Sequence, residues 1–206
     1  MKTESKYSEI LARVLYSARQ KDLKSLCDRS GMAATEFAMI LPIMLLMFFG
    51  MLEVSDAMMA NRRVANAANT LADLVAQETE VSTTDVNDIM LGVQDMLEPT
   101  AGSTVIMKII SVSHDPLNAN KLLVDWSRDN LGNTPYASGV VYTGINKDIV
   151  PASASLIVVE MEFDYVSGLS HKVLGVPIQF TRTVSRWPRQ STSVTLCGNS
   201  PLPACS

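Results

Sequence analysis

The chain has 206 residues, 47% of them hydrophobic, and a formal net charge of −4, which is room for one domain of ordinary size plus an anchor. The charge is unevenly distributed: residues 1–31 carry seven Lys or Arg against four acids, while residues 54–206 carry ten against fifteen. An acidic main domain excludes nucleic acid as its partner, because neutralising phosphates takes a basic surface.

The basic leader comes first, with Lys2, Lys6, Arg13, Arg19, Lys21, Lys24 and Arg29. Lys and Arg ahead of a first apolar segment are retained in the cytoplasm, so the N-terminus is expected inside and the bulk of the chain outside. From Phe37 to Leu52 every residue is apolar, Gly or Pro. That run alone would span about 24 Å as a helix; taken from Met32 to Val54 it reaches about 34 Å, enough to cross a bilayer core. The extension admits Thr35, Glu36 and Glu53 near the ends, within reach of water or headgroups. Pro42 removes one helical hydrogen bond, which membrane helices tolerate. A cleavable secretory signal is shorter and ends in a small-residue site on its far side, and nothing of that kind follows Leu52.

Instead the helical period continues through Ala57/Met58, Val64/Ala65, Ala68, Leu71/Ala72 and Val75, with Asp56, Asn61, Arg62, Arg63, Asn66, Asn69 and Asp73 between them. The pattern predicts one helix from about Met32 to Gln77, hydrophobic all round in its first half and amphipathic in its second. The small residues Ala60, Ala65, Ala67, Ala68 and Ala72 permit close packing. Their partner is either the chain's own domain or a helix of another subunit.

Beyond it, "QETEVSTTD" reads as a polar turn. Ser82 to Asp85 has the form of a capping box, followed by Val86, Ile89, Met90, Val93 and Met96/Leu97 at helical spacing. Glu98-Pro99 and Gly102 end that helix. Four strand-like runs come next: "STVIMKIISVSH", "KLLVDWSRD", "SASLIVVEMEFDYVS" and "GVPIQFTRTVSRW", separated by turn-rich segments. Residues 131–150 read as a long loop with a short strand at Val140–Tyr142. The expected class is α+β: a long N-terminal transmembrane and amphipathic helix, then a small domain with a second helix and an antiparallel sheet. The expected division is 1–31 leader, 32–54 transmembrane helix, 55–80 amphipathic continuation and 81–206 exported domain.

Candidate chemistry is sparse. His114 and His171 each stand beside turn residues, where a solvent-exposed role is expected. Glu160, Glu162 and Asp164 alternate with apolar residues and therefore share one strand face. A solvated face explains them, and a calcium ion or a basic partner subunit could also use them. Cys27 lies in the leader, whereas Cys197 and Cys205 bracket "CGNSPLPAC" on the exported side, an oxidising space, and are expected to form a disulfide. Closing that loop stabilises by about 2.6 kcal/mol on the chain-entropy account. The cysteine spacing fits no zinc pattern, and no P-loop, G-x-S-x-G or G-x-G-x-x-G occurs. No catalytic residue, metal site or cofactor is expected.

The boundary between leader and helix carries a resemblance. The run "GMAATEFAMILPIMLLMFFGMLEVS" places a Gly before Met32, a Glu-Phe pair five residues on, and then the apolar helix. It resembles the leader region of type IV pilins, in particular the TadE/TadF-like minor pseudopilins of the tight-adherence (Tad, or Flp) systems. "TRTVSRWPRQ" (Thr181–Gln190) also looks like the closing strand of these proteins, and Thr35 stands where an aliphatic residue is usual. The resemblance implies that a membrane prepilin peptidase cuts between Gly31 and Met32, with Glu36 and Phe37 read during processing and assembly. A residue without a Cβ suits that cut, since the chain can pass extended into a protease cleft. It further implies an inner-membrane, single-pass protein with its domain in the periplasm, supporting assembly of an adhesive pilus. Its partners would be the peptidase, other pilins and pseudopilins, the Tad secretion machinery and membrane lipid. There the Glu36 carboxylate would meet the new amine at Met32 of a neighbour. The alternative is an uncleaved single-pass inner-membrane protein with a periplasmic binding domain.

Overall fold

A computed structural model of the chain describes residues 30–97, 104–166 and 177–198. The leader up to residue 29, the helix stop at Glu98-Pro99 and Gly102, His171 and Cys205 lie outside the described residues. The chain divides into two compact units, Met1–Met51 and Leu52–Ser206. Among the described residues the first unit consists of the opening part of helix α1, which is Ser30–Ala76 and contains Pro42. Its bounds fall within two residues of those the periodicity predicts, the usual latitude for helix ends.

In the second unit the later half of α1 packs on a five-stranded antiparallel sheet. β2 (Thr104–Asp115), β3 (Asn118–Asp129), β4 (Val141–Tyr142), β5 (Leu156–Tyr165) and β6 (Ile178–Arg186) are ordered β4-β3-β2-β5-β6. β2 and β3 form a hairpin whose turn is pinned by the Asp115 carboxylate accepting from the Leu117 amide at 2.8 Å. The register shifts between Ser111 and Val112, which pair with Trp126 and Val124, so Asp125 is the extra residue of a bulge. Two elements precede the sheet in sequence: β1 (Glu80–Ser82) and helix α2 (Thr83–Asp95). Ser82 caps α2 as the S-x-x-D pattern predicts. Its hydroxyl accepts from the Asp85 amide at 3.1 Å, and the Asp85 carboxylate accepts from the Ser82 amide at 3.0 Å.

The stretch expected to be a simple polar turn contains a strand. β1 pairs in parallel with β7 (Thr195–Cys197), Glu80 to Thr195 through Ser82 to Cys197. Val81 pairs with Leu196, and both are buried in the domain's core, so this apolar pair anchors the pairing.

The sheet is covered on both faces. On one, Val64, Ala68, Leu71 and Val75 of α1 and Val86, Met90 and Val93 of α2 meet Met107, Ile109, Val159 and Met161. On the other, Ile110, Val112, Leu122, Val124 and Val158 lie beneath Tyr142 and Val150, with Tyr136 and Ile145 packed against them. β5 records this directly. Its first four residues are all buried, and strict alternation begins at Glu160. The small residues of α1 find their partner here: Ala67, Ala68 and Ala72 are buried in the domain's own core. The helix covers its own sheet.

Candidate functional site

Gly31, Met32, Glu36 and Phe37 all lie in the first turns of α1. Met32 and Glu36 are one turn apart and share a helix face. Thr35, between them, donates its hydroxyl to the Met32 carbonyl at 2.8 Å. Nothing lies within 4 Å of where a Cβ on Gly31 would stand, so the fold itself places no demand for glycine there. From Met32 to Leu52 the side chains are exposed: Phe37 is 57% exposed and Met39 79%. The span Gly31–Ala76 has a mean hydropathy of 2.3 in its most apolar window, none of which is buried within the protein. Among the described residues it is the helix long and apolar enough to cross a membrane, as expected of a single-pass protein. Such a surface in water is far beyond what soluble proteins leave uncovered.

A second constellation fastens β6 to α1. Arg182 donates to the Asn61 side-chain oxygen at 2.7 Å, Arg186 to that of Asn69 at 2.7 Å, and Arg189 pairs with Asp73. All three arginines belong to "TRTVSRWPRQ", and their partners occupy the polar positions that border the helix's buried stripe. The Arg189 amide also donates to the Ala76 carbonyl at 2.8 Å, satisfying one of the orphan acceptors at the helix end. The motif therefore works as a seam along the helix.

The acidic row of β5 forms a third. Glu160, Glu162 and Asp164 do share a face, but Glu160 is half-buried and bonded to two phenols. The Tyr142 hydroxyl donates to its Oε1 at 2.6 Å and the Tyr136 hydroxyl to its Oε2 at 3.0 Å. Lys108 sits 2.8 Å from Glu162 and 4.0 Å from Glu160, where a cation bridging the row would sit. Its ammonium is held charged to higher pH than usual, chiefly by the Glu162 hydrogen bond. Burial, and then the bond to Glu160, pushes the Tyr136 and Tyr142 phenols up. The row is a clasp for the segment crossing the sheet's second face. No pattern of polar residues in that segment announces it; the two tyrosines flanked by turn residues are the available signal.

His114 is likewise a brace. Its Nδ1 lies 2.9 Å from the Ala119 carbonyl and its Nε2 2.9 Å from the Val150 carbonyl, tying the β2–β3 hairpin to the end of the covering segment. Beside it a cleft of about 480 Å³ is lined by hydroxyl-bearing residues including Ser113, Ser153 and Thr192, with Asp125. The Asp125 carboxylate already accepts from Ser111 at 2.9 Å and Ser113 at 2.6 Å. Cys197 closes β7, and its expected partner Cys205 lies outside the described residues. No cluster of three His, Cys, Asp or Glu able to hold a metal occurs among the described residues.

Compared with known proteins, the chain finds a match on its helix. The family model described as TadE-like protein matches residues 31–73. No curated protein and no solved structure matches the chain. The matched segment begins at Gly31, contains the whole apolar run and ends at Asp73, the helix partner of Arg189. Over that segment the chain is similar to TadE-like proteins.

Proposed function

We propose that the chain is a TadE-type minor pseudopilin that supports assembly of Flp-type Tad pili, with a structural rather than catalytic role. The TadE-like match, beginning at Gly31 and running through the exposed apolar helix, is the observation that carries this reading. On it, residues 1–31 are a cytoplasmic leader, 32–54 cross the inner membrane, 55–80 continue the helix, and 81–206 form the periplasmic domain. A prepilin peptidase cuts between Gly31 and Met32. The open space around Gly31 supports this, because packing gives no reason for glycine and a protease cleft does. Glu36 and Phe37 are then presented to the peptidase and to neighbouring pilins, and the Glu36 carboxylate meets a Met32 amine of an adjacent subunit. Cys197 and Cys205 form a disulfide in the periplasm, and the Tad machinery and membrane lipid are the remaining partners.

One observation favours the uncleaved alternative with a periplasmic binding domain: the Gly31–Met32 bond lies inside the first turn of α1, which must unwind before it is cut. Terminal turns fray readily, so the cost is small. N-terminal sequencing of the membrane-fraction protein, in strains with and without the peptidase, decides between them. A mature start at Met32 that is lost in the Gly31→Leu variant is expected. Retention of residues 1–31 in the peptidase-positive strain overturns the proposal and leaves the uncleaved protein.

A further inference from the structure

Among the described residues β6 ends the sheet, with no backbone partner along its outer edge. It is nine residues long and pairs with β5 in unbroken register from Tyr165–Ile178 to Ile157–Arg186. Among the described residues no strand lies beyond it. The opposite edge is treated differently. β4 is only two residues long, and beyond it Val124 exchanges backbone bonds with Val140 at 2.9 Å and Gly139 at 2.8 Å. Natural sheets blunt long edges with a proline, a bulge, a cover or charged side chains. β6 contains no proline and no bulge. Its charges are Arg182 and Arg186, which rest on Asn61 and Asn69 of α1 and select against a like-charged strand while leaving an acidic one able to add.

Those contacts also leave charge uncompensated. Each Asn oxygen accepts from one guanidinium nitrogen without neutralising the charge, and among the described residues no carboxylate lies within 4.0 Å of Arg182 or Arg186. Two positive charges thus stand on one face of an edge strand, about 13 Å apart at four-residue spacing. They belong to a domain that is acidic elsewhere. We infer that β6 is a docking edge for an acidic, extended segment of a different protein. That segment adds as a further strand and sets carboxylates, four residues apart, against Arg182 and Arg186. Main-chain bonds supply the affinity and the charge pairs fix the register, as in other strand-addition complexes.

A second copy of this chain is a poorer occupant. β6 runs alongside α1 in the same direction, since Arg182, Arg186 and Arg189 meet Asn61, Asn69 and Asp73 in order. The β6 edge of a second copy would set its own Arg182 and Arg186 against these, and like charges opposed across a strand pair are destabilising. The inference does not depend on whether the leader is cut.

The test uses the full-length protein in detergent micelles. The probe is a fluorescent synthetic peptide of alternating Val and Thr with Glu at two positions four residues apart, beside the same peptide carrying Lys there. The Glu peptide is expected to bind about tenfold more tightly than the Lys peptide, the effect of two opposed charge pairs. It should also slow amide exchange across residues 178–186. The Arg182→Gln/Arg186→Gln variant, with unchanged helix content, should lose that preference. Where the double variant fails to fold, the single Arg182→Gln is read instead, at about threefold. Equal binding of the two peptides, no saturable binding, or protection confined to strands other than β6 overturns the inference.

Discussion

Glu160 offers a direct measure of what holds the covering segment to the sheet. It accepts from Tyr142 at 2.6 Å and from Tyr136 at 3.0 Å, and its side chain is 16% exposed. Hydrogen bonds to a charged acceptor contribute about 1.5–3 kcal/mol in such settings. Lys108 adds little to this, because it stands 4.0 Å away and makes its closer contact to Glu162. Tyr142→Phe removes one donor and leaves Glu160 its second phenol, so it should cost about 2 kcal/mol. Glu160→Gln keeps the shape but gives up the charge and should cost a similar amount. If the two groups act on each other, the double variant costs less than the sum, with a coupling of about 1–2 kcal/mol. Urea unfolding of the full-length protein in detergent, followed by the fluorescence of buried Trp126, supplies the four free energies. Costs that add to within about 0.5 kcal/mol would show that phenol and carboxylate do not sense each other, and the clasp would be refuted.

Ala68→Leu should destabilise the second unit by about 1–3 kcal/mol through overpacking, because Ala68 is fully buried between α1 and the sheet; a melting curve checks it. Ser82→Ala should cost about 1 kcal/mol by removing the hydroxyl half of the α2 capping box, with faster amide exchange in the first turn of that helix. Stability should fall as pH rises above about 10. Burial pushes up Tyr136, Tyr142 and Tyr165, and the Glu162 bond pushes up Lys108. The unfolded chain therefore releases these protons first, and the stabilisation present below the unfolded pKa is lost above it. Melting temperature against pH checks it, and a flat profile through that range contradicts the assigned contacts.

Much of this architecture was legible in the residues because it rests on period. α1 and α2 follow three- and four-residue spacing, and the capping box is a two-residue pattern that the backbone then satisfies. The four long strands are apolar runs bounded by turn residues. What escaped was short or held by single side chains. β1 and β7 are three residues each, below the length at which alternation is recognisable, and their pairing is anchored by the buried pair Val81 and Leu196. The segment over the second face has no period, since individual anchors hold it: Tyr136, Tyr142 and the Val150 carbonyl on His114. Glu160 was expected in solvent for that reason. A strand's alternation says which residues share a face but not what covers it. The seam residues were visible as a motif, yet the motif does not say that its arginines reach Asn61, Asn69 and Asp73.

The segment after β6 returns repeatedly to residues from the domain's beginning. Arg189 bonds Ala76 at 2.8 Å, Thr195 bonds Thr79 at 3.1 Å, and β7 then lies along β1. A chain delivered N-terminus first exposes the inner stripe of α1 and the edge of β1 long before these last partners arrive. Local contacts form early, whereas these close nearly the whole domain's sequence and must come late. During synthesis the domain is thus obliged to wait, partly open and prone to association, until β7 has emerged. Loss of a few residues from that strand should do more harm than its small size suggests, because it removes the step that completes folding.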